Sequence, residues 1–580
     1  MSKFRNYLSS LVVLLALPLA ACNGDDESSV AATSDSALLE YIPANASYAL
    51  VSTEPPPEDV IEALQPLNEQ IMKGYHDLLT AVGDGILAEA EGSDADGAEK
   101  VSAMFDEVAS LLSADGLEDA GVQLYGDFAL YGHGILPVMR FELADHEKFE
   151  ATLDRLEESA EAKMSVKTID GNAVRYGGDD ELNFFVAVLE NQAVVSMAPA
   201  SFDDDQLGEL LGFTKPSTSI VDSGELDGIV EKYGYNYMMI GYLDVVDIAN
   251  FLVGNNSGLD QSLHALFAAD DEHLASISDV CKAEIVEMAG VMPRIVTGYT
   301  ELSETAMRSE AVFELRSDIA ADMSGMTAEV PGMGTDPGGA MSFGMSLNLM
   351  GTRDFIANRI KAIEADPFEC PDLQEVNAGV AEMKAGLEAP IPPFLIGLKG
   401  IFVDFEDIEG LDLATQTPPT SIDARILLAV DNAPAVLGMA SMFSPELAGM
   451  NLEPNGEPQL MESMMTAMAP GPMYAAMTSD AISVSIGEGQ QDKLGDMMAA
   501  DNGGDDLIMS FAMDAARYYE FIGEVITTMD TEEAAANPEV NASVGEMMTV
   551  FADYLDRMQM DVRATEDGVQ LDSIVTLKPQ

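Results

Sequence analysis

The chain is written twice. Residues Asp205-Gln206-Leu207-Gly208-Glu209-Leu210-Leu211 return as Asp492-Lys493-Leu494-Gly495-Asp496-Met497-Met498, an offset of 287 from position 207 to 494. Just upstream, an apolar hairpin from Phe184 to Met197 turns at Glu190-Asn191-Gln192. Its counterpart from Met473 to Ile486 turns at Thr478-Ser479-Asp480. There Val195-Ser196 matches Val484-Ser485, an offset of 289 from 195 to 484. The likeness lies in pattern more than in identity, and a repeat of this kind decides the architecture before any single element does.

The match extends in both directions. A strand from Val138 to Leu143 is followed by Asp145, a helix N-cap, and then by Phe149, Leu153, Leu156 and Ala160 on one helical face. In the second copy the strand is Ile426 to Val430, the cap Asp431 or Asn432, and the stripe Val436, Met439, Ala440 and Phe443. Pro434 sits in the first turn, where its missing N–H costs nothing. Downstream, Tyr237 to Leu243 precedes Asp244, as Leu507 to Met513 precedes Asp514. Short strands at Tyr48 to Ser52 and Met341 to Leu347 open the copies. Helices at Ile277 to Met288 and Val544 to Met558, each followed by two strands, close them. Hairpins mixed with helices, without regular strand-helix-strand alternation, predict an α+β fold with antiparallel sheets covered by helices. The expected division is a signal at 1–21, an acidic tether at 22–36, a first copy at 37–322, a linker rich in Gly, Met and Pro at 323–339, and a second copy at 340–580.

Lys3 and Arg5 precede an apolar stretch from Leu8 to Leu19, shorter than the ~20 residues a membrane span needs. A basic start and a short apolar core describe a secretory signal. Leu19-Ala20-Ala21-Cys22 resembles the lipobox of bacterial lipoproteins. The resemblance implies cleavage before Cys22, a thioether-linked lipid on its sulfur, and attachment to the cell envelope. Asn23 is not the Asp that marks inner-membrane retention, so the outer membrane facing the periplasm is the expected location. Two or more acyl chains are what stable anchoring requires.

Export leaves Cys281 and Cys370 as a pair in an oxidising compartment. A disulfide across the two copies and two free buried thiols are both open readings. Removing Lys3 and Arg5 leaves 25 basic against 101 acidic residues, a net of −76. Nucleic acid as a partner is excluded, since phosphate contacts need a basic face. The acids are spread along the chain, as in proteins of salty water; a cation or basic-polymer binder is the sharper reading.

Leu38-Leu39-Glu40-Tyr41-Ile42-Pro43-Ala44-Asn45 and Tyr131-Gly132-His133-Gly134-Ile135-Leu136-Pro137-Val138-Met139-Arg140 resemble segments of uncharacterised exported proteins of proteobacteria, a domain-of-unknown-function family. The resemblance implies location and fold and carries no catalytic residue.

No motif for chemistry stands out. Ala340-Met341-Ser342-Phe343-Gly344 lacks the first glycine of a nucleophile elbow. The five histidines, His76, His133, His146, His264 and His273, have no metal-ligand spacing. Glycines flank His133, where a ligand or a bulge would bring backbone close. Asp94-Ala95-Asp96-Gly97 fails as a calcium loop, because Gly92 and Ala103 occupy the end positions. Acidic runs at Asp179-Asp180-Glu181, Asp203-Asp204-Asp205 and Asp505-Asp506 leave weak divalent-cation binding as an expectation. Met461, Met464, Met465, Met468, Met473 and Met477 read as core filling ahead of copper(I) ligands. Pro55-Pro56-Pro57 reads as a stiff approach to a helix. No cofactor is implied. The sequence therefore predicts a lipid-anchored binding or scaffolding protein with an envelope protein partner. The alternatives are an envelope hydrolase with a dispersed site and a calcium-responsive module.

Overall fold

The structure, a computed structural model, describes residues 36–579 except 90–94, 160–162, 180, 257, 271–276, 411–418, 443–451, 462–470 and 529–537. The signal, Cys22 and the tether to residue 35 lie outside the described residues.

The fold is α+β, and the strands among the described residues form one antiparallel sheet of 19 members. The first copy supplies β1 (Tyr48–Ser52), β2 (Phe128–His133), β3 (Leu136–Glu142), β4 (Ser165–Ile169), β5 (Asn172–Gly178), β6 (Leu182–Leu189), β7 (Gln192–Pro199), β8 (Ile240–Asp244), β9 (Arg294–Leu302) and β10 (Ala306–Glu314). The second supplies β11 (Met341–Ser346), β12 (Leu398–Glu409), β13 (Ser421–Val430), β14 (Gln459–Leu460), β15 (Met473–Met477), β16 (Ala481–Ile486), β17 (Leu507–Asp514), β18 (Leu555–Ala564) and β19 (Gly568–Leu577). Their spatial order is β4-β5-β6-β7-β3-β2-β1-β8-β9-β10 and onward through β19-β18-β17-β11-β12-β13-β16-β15-β14. The sequence left the arrangement of the two copies open; β10 pairs with β19 along its whole length and joins them.

That pairing is symmetric. Ala306 faces Thr576 and Glu314 faces Gly568. Positions 306 and 314 thus map onto 568 and 576 by one shift of 262, and Glu310 faces its own counterpart, Asp572. A local two-fold axis runs through that acidic pair. The flanking hydrogen bonds obey it as well. Leu315 N donates to Asp567 O at 2.8 Å, and Leu577 N to Thr305 O at 2.9 Å. Arg316 N donates to Val291 O at 3.0 Å, and Lys578 N to Tyr554 O at 2.8 Å, so these donors keep the shift of 262 while their acceptors are 263 apart.

Helices brace the join. Those used below are α1 (Glu58–Glu89), α2 (Ala95–Leu111), α3 (His146–Ser159), α4 (Asp279–Ala289), α5 (Ser317–Met323), α6 (Leu349–Ala365), α7 (Ala515–Thr528) and α8 (Pro538–Tyr554). Asp145 accepts from Glu147 N and Lys148 N at the start of α3, and Asp514 from Arg517 N at the start of α7. In the second copy the cap is Asn432, accepting from Ala435 N. Met72 of α1, Leu111 of α2, and Phe149 and Leu153 of α3 cover one face of the first copy, against Phe128, Met139, Phe141 and Val195. The first helix of the first copy reaches across to the last helix of the second, and the chain after α6 of the second copy is tied to α4 of the first. α1 packs on α8, where Leu67 meets Val550, Phe551 and Tyr554. Just beyond α6, Cys370 is bonded to Cys281 of α4. Glu284 of α4 also accepts from Glu369 N at 2.7 Å and Cys370 N at 3.0 Å.

The opposite face carries the main core. Leu38, Leu39 and Ile42 sit there with Leu207, Leu210 and Ile229 over Val51, Val138, Val194 and Val312. In the second copy the segment expected to be a linker does this work. Val330 and Met333, each 1% exposed, join Phe402, Leu427 and Leu494. Gly344 has no side chain beneath Met333, and a Cβ there would stand 2.8 Å from Met333 Cγ. Residues rich in Gly and Met are therefore bound to the sheet, because small and pliable groups fit where two backbones approach closely.

Candidate functional site

Two features lie at the join, an open cleft and a row of acids on the axis; a third, a buried polar cluster, lies within the second copy on β12 and β13.

The cleft has a volume of about 280 Å3 and both copies line it. Ala63, Leu64 and Leu67 of α1 supply one wall, and Glu304 and Thr305 of the β9–β10 turn another. Tyr554, Leu577, Lys578 and Pro579 close it from the second copy. Lys578 Nζ donates to Ala552 O at 2.8 Å, a cation at the end of α8 where helix carbonyls lack partners. The site is an apolar slot with one cationic and one acidic residue beside it.

On the axis, Tyr235 Oη donates to Glu310 Oε1 at 3.0 Å. Gln570 Nε2 donates to Glu310 Oε2 at 2.8 Å and to Asp572 Oδ1 at 2.9 Å. Arg563 joins Asp572, Asp506 and Asp561 at 3.0, 2.9 and 3.2 Å. Burial pushes the Glu310 carboxyl above its ordinary value; the adjacent Asp572 adds to this, and the Tyr235 hydrogen bond opposes it. At the edge, burial would also raise Glu314, but Arg294, Tyr233 and Lys232 hold it down to about 2.

These shifts act in opposite directions on stability. A carboxyl raised on folding loses stability as pH climbs from 4.5 through its folded value. One lowered to about 2 contributes stability that is lost as pH falls from 4.5 toward 2. Glu310→Gln removes only the first effect. Its melting temperature is expected to exceed the parent's at pH 7, with the gap closing below pH 4.5. Melting curves across pH at fixed ionic strength check this; a gap that ignores pH refutes it.

Within the second copy, Arg425 on β13 bonds Asp404 on β12 and lies 2.8 Å from Glu406 and 2.7 Å from Gln490 Oε1. The Arg425 and Asp404 side chains are 9% and 3% exposed. Burial raises the Asp404 carboxyl while Arg425 opposes the rise, and Asp404 Oδ1 has no partner. Ser483 and Ser485 on β16 are buried with unpartnered hydroxyls.

The first copy solves its own buried cation differently. Arg140 on β3 donates to Gln192 Oε1 at 3.1 Å and Leu211 O at 3.0 Å. Its guanidinium lies 4.0 Å from the Tyr41 ring centre. The two segments that carry the family resemblance thus meet, Tyr41 under Arg140, and pin residues 38–42 into the core. Sequence reading missed both arginines; each is a charge inside a strand whose neighbours are apolar, the signal that could have marked them.

The candidates read from the sequence scatter. Ser342 lies buried on β11, paired with Asp404 and Ala512. His133 ends β2, 3.9 Å from Glu209 and mostly buried. Burial lowers its pKa against the pull of Glu209 and Asp260. What approaches its glycines is the protein itself, the Tyr48 ring over Gly132 and the Asp260 carboxylate over Gly134. His76 contacts Asp77, and His264 stacks edge-on against Phe251. His146 opens α3, and His273 is outside the described residues. Asp203 caps a helix with Gln206, and Asp506 pairs with Arg563. Met473 and Met477 lie on β15, Met477 in the core, while Met464, Met465 and Met468 are outside the described residues. Among the described residues, the grouping of three His, Cys, Asp or Glu donors close enough for one ion is Cys281, Cys370 and Asp372. Two of these are spent on the disulfide. No described helix is long and apolar enough to cross a membrane.

No family model, curated protein or solved structure matches the chain.

Proposed function

We propose that the chain is a cell-envelope lipoprotein, anchored through Cys22, that works as a non-enzymatic binding platform for another envelope protein. The open cleft between the copies carries this reading. It is apolar at its walls, it needs both copies to exist, and it sits in a sheet locked by the β10–β19 pairing and the disulfide. Apolar pockets with a few polar groups at interfaces between structural units are the usual seats of ligands. A disulfide fits an exported location, and a surface of net charge near −76 excludes polyanions from its partners. Both described cysteines are consumed in the disulfide, so no thiol nucleophile exists among the described residues.

Crosslinking in intact cells, followed by capture of the protein, tests the reading. The comparison is a Cys22→Ser version, which stays unlipidated. A partner enriched with the lipidated form supports the platform. Equal recovery with both forms, or none with either, overturns it.

A further inference from the structure

Gly344 lies beneath Met333, so Ser342, Gly344 and Ser346 of β11 face that segment, and Met341, Phe343 and Met345 face the other way. The register extends this second face over the next two strands. Met345 faces Met509 of β17, Phe343 faces Phe511, and Met341 faces Met513. Phe511 in turn faces Met560 of β18, and Met513 faces Met558. Six methionines thus stand in a patch three strands wide, around two phenylalanine rings. Strands favour β-branched and aromatic residues at such places. In the first copy, β1, β8 and β9 hold the equivalent positions. Tyr48 faces Leu243, which faces Ile295; Leu50 faces Gly241, which faces Thr297. None of these is methionine, so the fold itself does not require thioethers there.

The patch has a covered end and an open one. Met513 is 9% exposed, and Met558 packs against the cluster of Leu67, Ala515 and Leu555. At the other end Met345 and Met560 are 43% and 36% exposed, and Met509 is half-buried. Met345 is directly opposite Met509, and Met560 is diagonal to Met509 across β17 and β18. Opposed side chains on neighbouring strands have Cβ atoms about 5 Å apart, and diagonal ones about 7–8 Å, within reach of long side chains. The unbranched methionine side chain has three rotatable bonds, enough to turn three sulfurs toward one point.

We propose that Met345, Met509 and Met560 bind one soft monovalent cation, copper(I), through their thioether sulfurs. Thioethers are neutral and polarizable, so they select copper(I) over calcium and magnesium, which take oxygen ligands. A net charge near −76 draws cations toward the surface without choosing among them, and the sulfurs make the choice. The site is separate from the cleft and does not depend on the platform reading. It is also a different set from the methionines between Met461 and Met477.

The full-length Cys22→Ser chain is the protein to use, because its two remaining cysteines form the disulfide and no thiol competes for the ion. Copper(I) is supplied without oxygen as its coloured bicinchoninate complex, and loss of colour reads transfer to the protein. The expected result is transfer of one ion per chain, with a dissociation constant at least tenfold weaker for Met345→Leu and for Met560→Leu. Leucine keeps the volume and the apolar character, so melting curves are expected to stay unchanged. Met345→Leu, at the open end, carries the test alone if Met560→Leu folds poorly. Met341→Leu, at the other end of β11, is expected to leave transfer as it is. X-ray absorption at the copper edge is expected to show sulfur neighbours only. No transfer, transfer indifferent to the Met345 and Met560 variants, or an equal loss with Met341→Leu overturns the inference. Nitrogen or oxygen ligands at the metal overturn it as well.

Discussion

Arg425→Ala is expected to cost about 3–5 kcal/mol of folding stability. The guanidinium bonds Asp404 and, at 2.8 and 2.7 Å, Glu406 and Gln490. Removing it leaves the buried Asp404 carboxyl without its cation and with one oxygen already unpartnered. An isolated buried charge is far costlier than a missing ion pair, because the desolvation remains while the attraction is gone. The same logic predicts that Arg425→Met combined with Asp404→Leu recovers most of the loss, since replacing both members of a buried pair is often neutral. Urea midpoints at unchanged m-value measure both variants. A cost below about 1 kcal/mol for the single variant would mean that water reaches Asp404 and that the cluster is not closed.

Breaking the disulfide is the second large effect. Cys281 and Cys370 are 89 positions apart, and loop-closure entropy for such a length corresponds to about 4 kcal/mol. The bond also ties α4 of one copy to the chain beyond α6 of the other. Cys281→Ser with Cys370→Ser, or reduction of the parent, is therefore expected to lower the unfolding free energy by that amount, read as a fall in the urea midpoint of that value divided by m. Glu284 keeps its hydrogen bonds to Glu369 N and Cys370 N, so local geometry survives the change. If the midpoint barely moves, the crossing is held by packing and the covalent brace is redundant.

Local chemistry was legible in the sequence. Asp145, Asp244 and Asp514 cap helices because a short acceptor before an apolar stripe is a signal contained in a few residues. The apolar hairpins of both copies appear as β6–β7 and β15–β16 for the same reason. The join was not legible. Glu310 and Asp572 face each other from opposite copies, and no window of sequence contains both. β12 gave no strand signal, since its inward row carries Asp404 and Glu406 among apolar residues. The segment 323–339 has no periodicity, so composition alone suggested a linker. Its apolar burial comes from Val330 and Met333, meeting a sheet formed by chain far downstream. The cleft follows the same rule. Ala63, Leu64 and Leu67 look like an ordinary helix face until the fold brings Thr305 and Leu577 up beside them.

Each half buries a cation in its core, Arg140 bonded to Gln192 and the Leu211 carbonyl in the first and Arg425 bonded to Asp404 in the second. What both retain is the strand at the join.

The central claim is that the copies form one continuous sheet through β10 and β19. Hydrogen exchange read on peptides covering Ala306–Glu314 and Gly568–Leu577 tests it most directly. The account predicts protection there as slow as in β3 and β13, lost only in global unfolding. Fast exchange in both segments while β3 and β13 stay protected would mean that the copies are separate bodies, and the cleft between them would not exist as a fixed site.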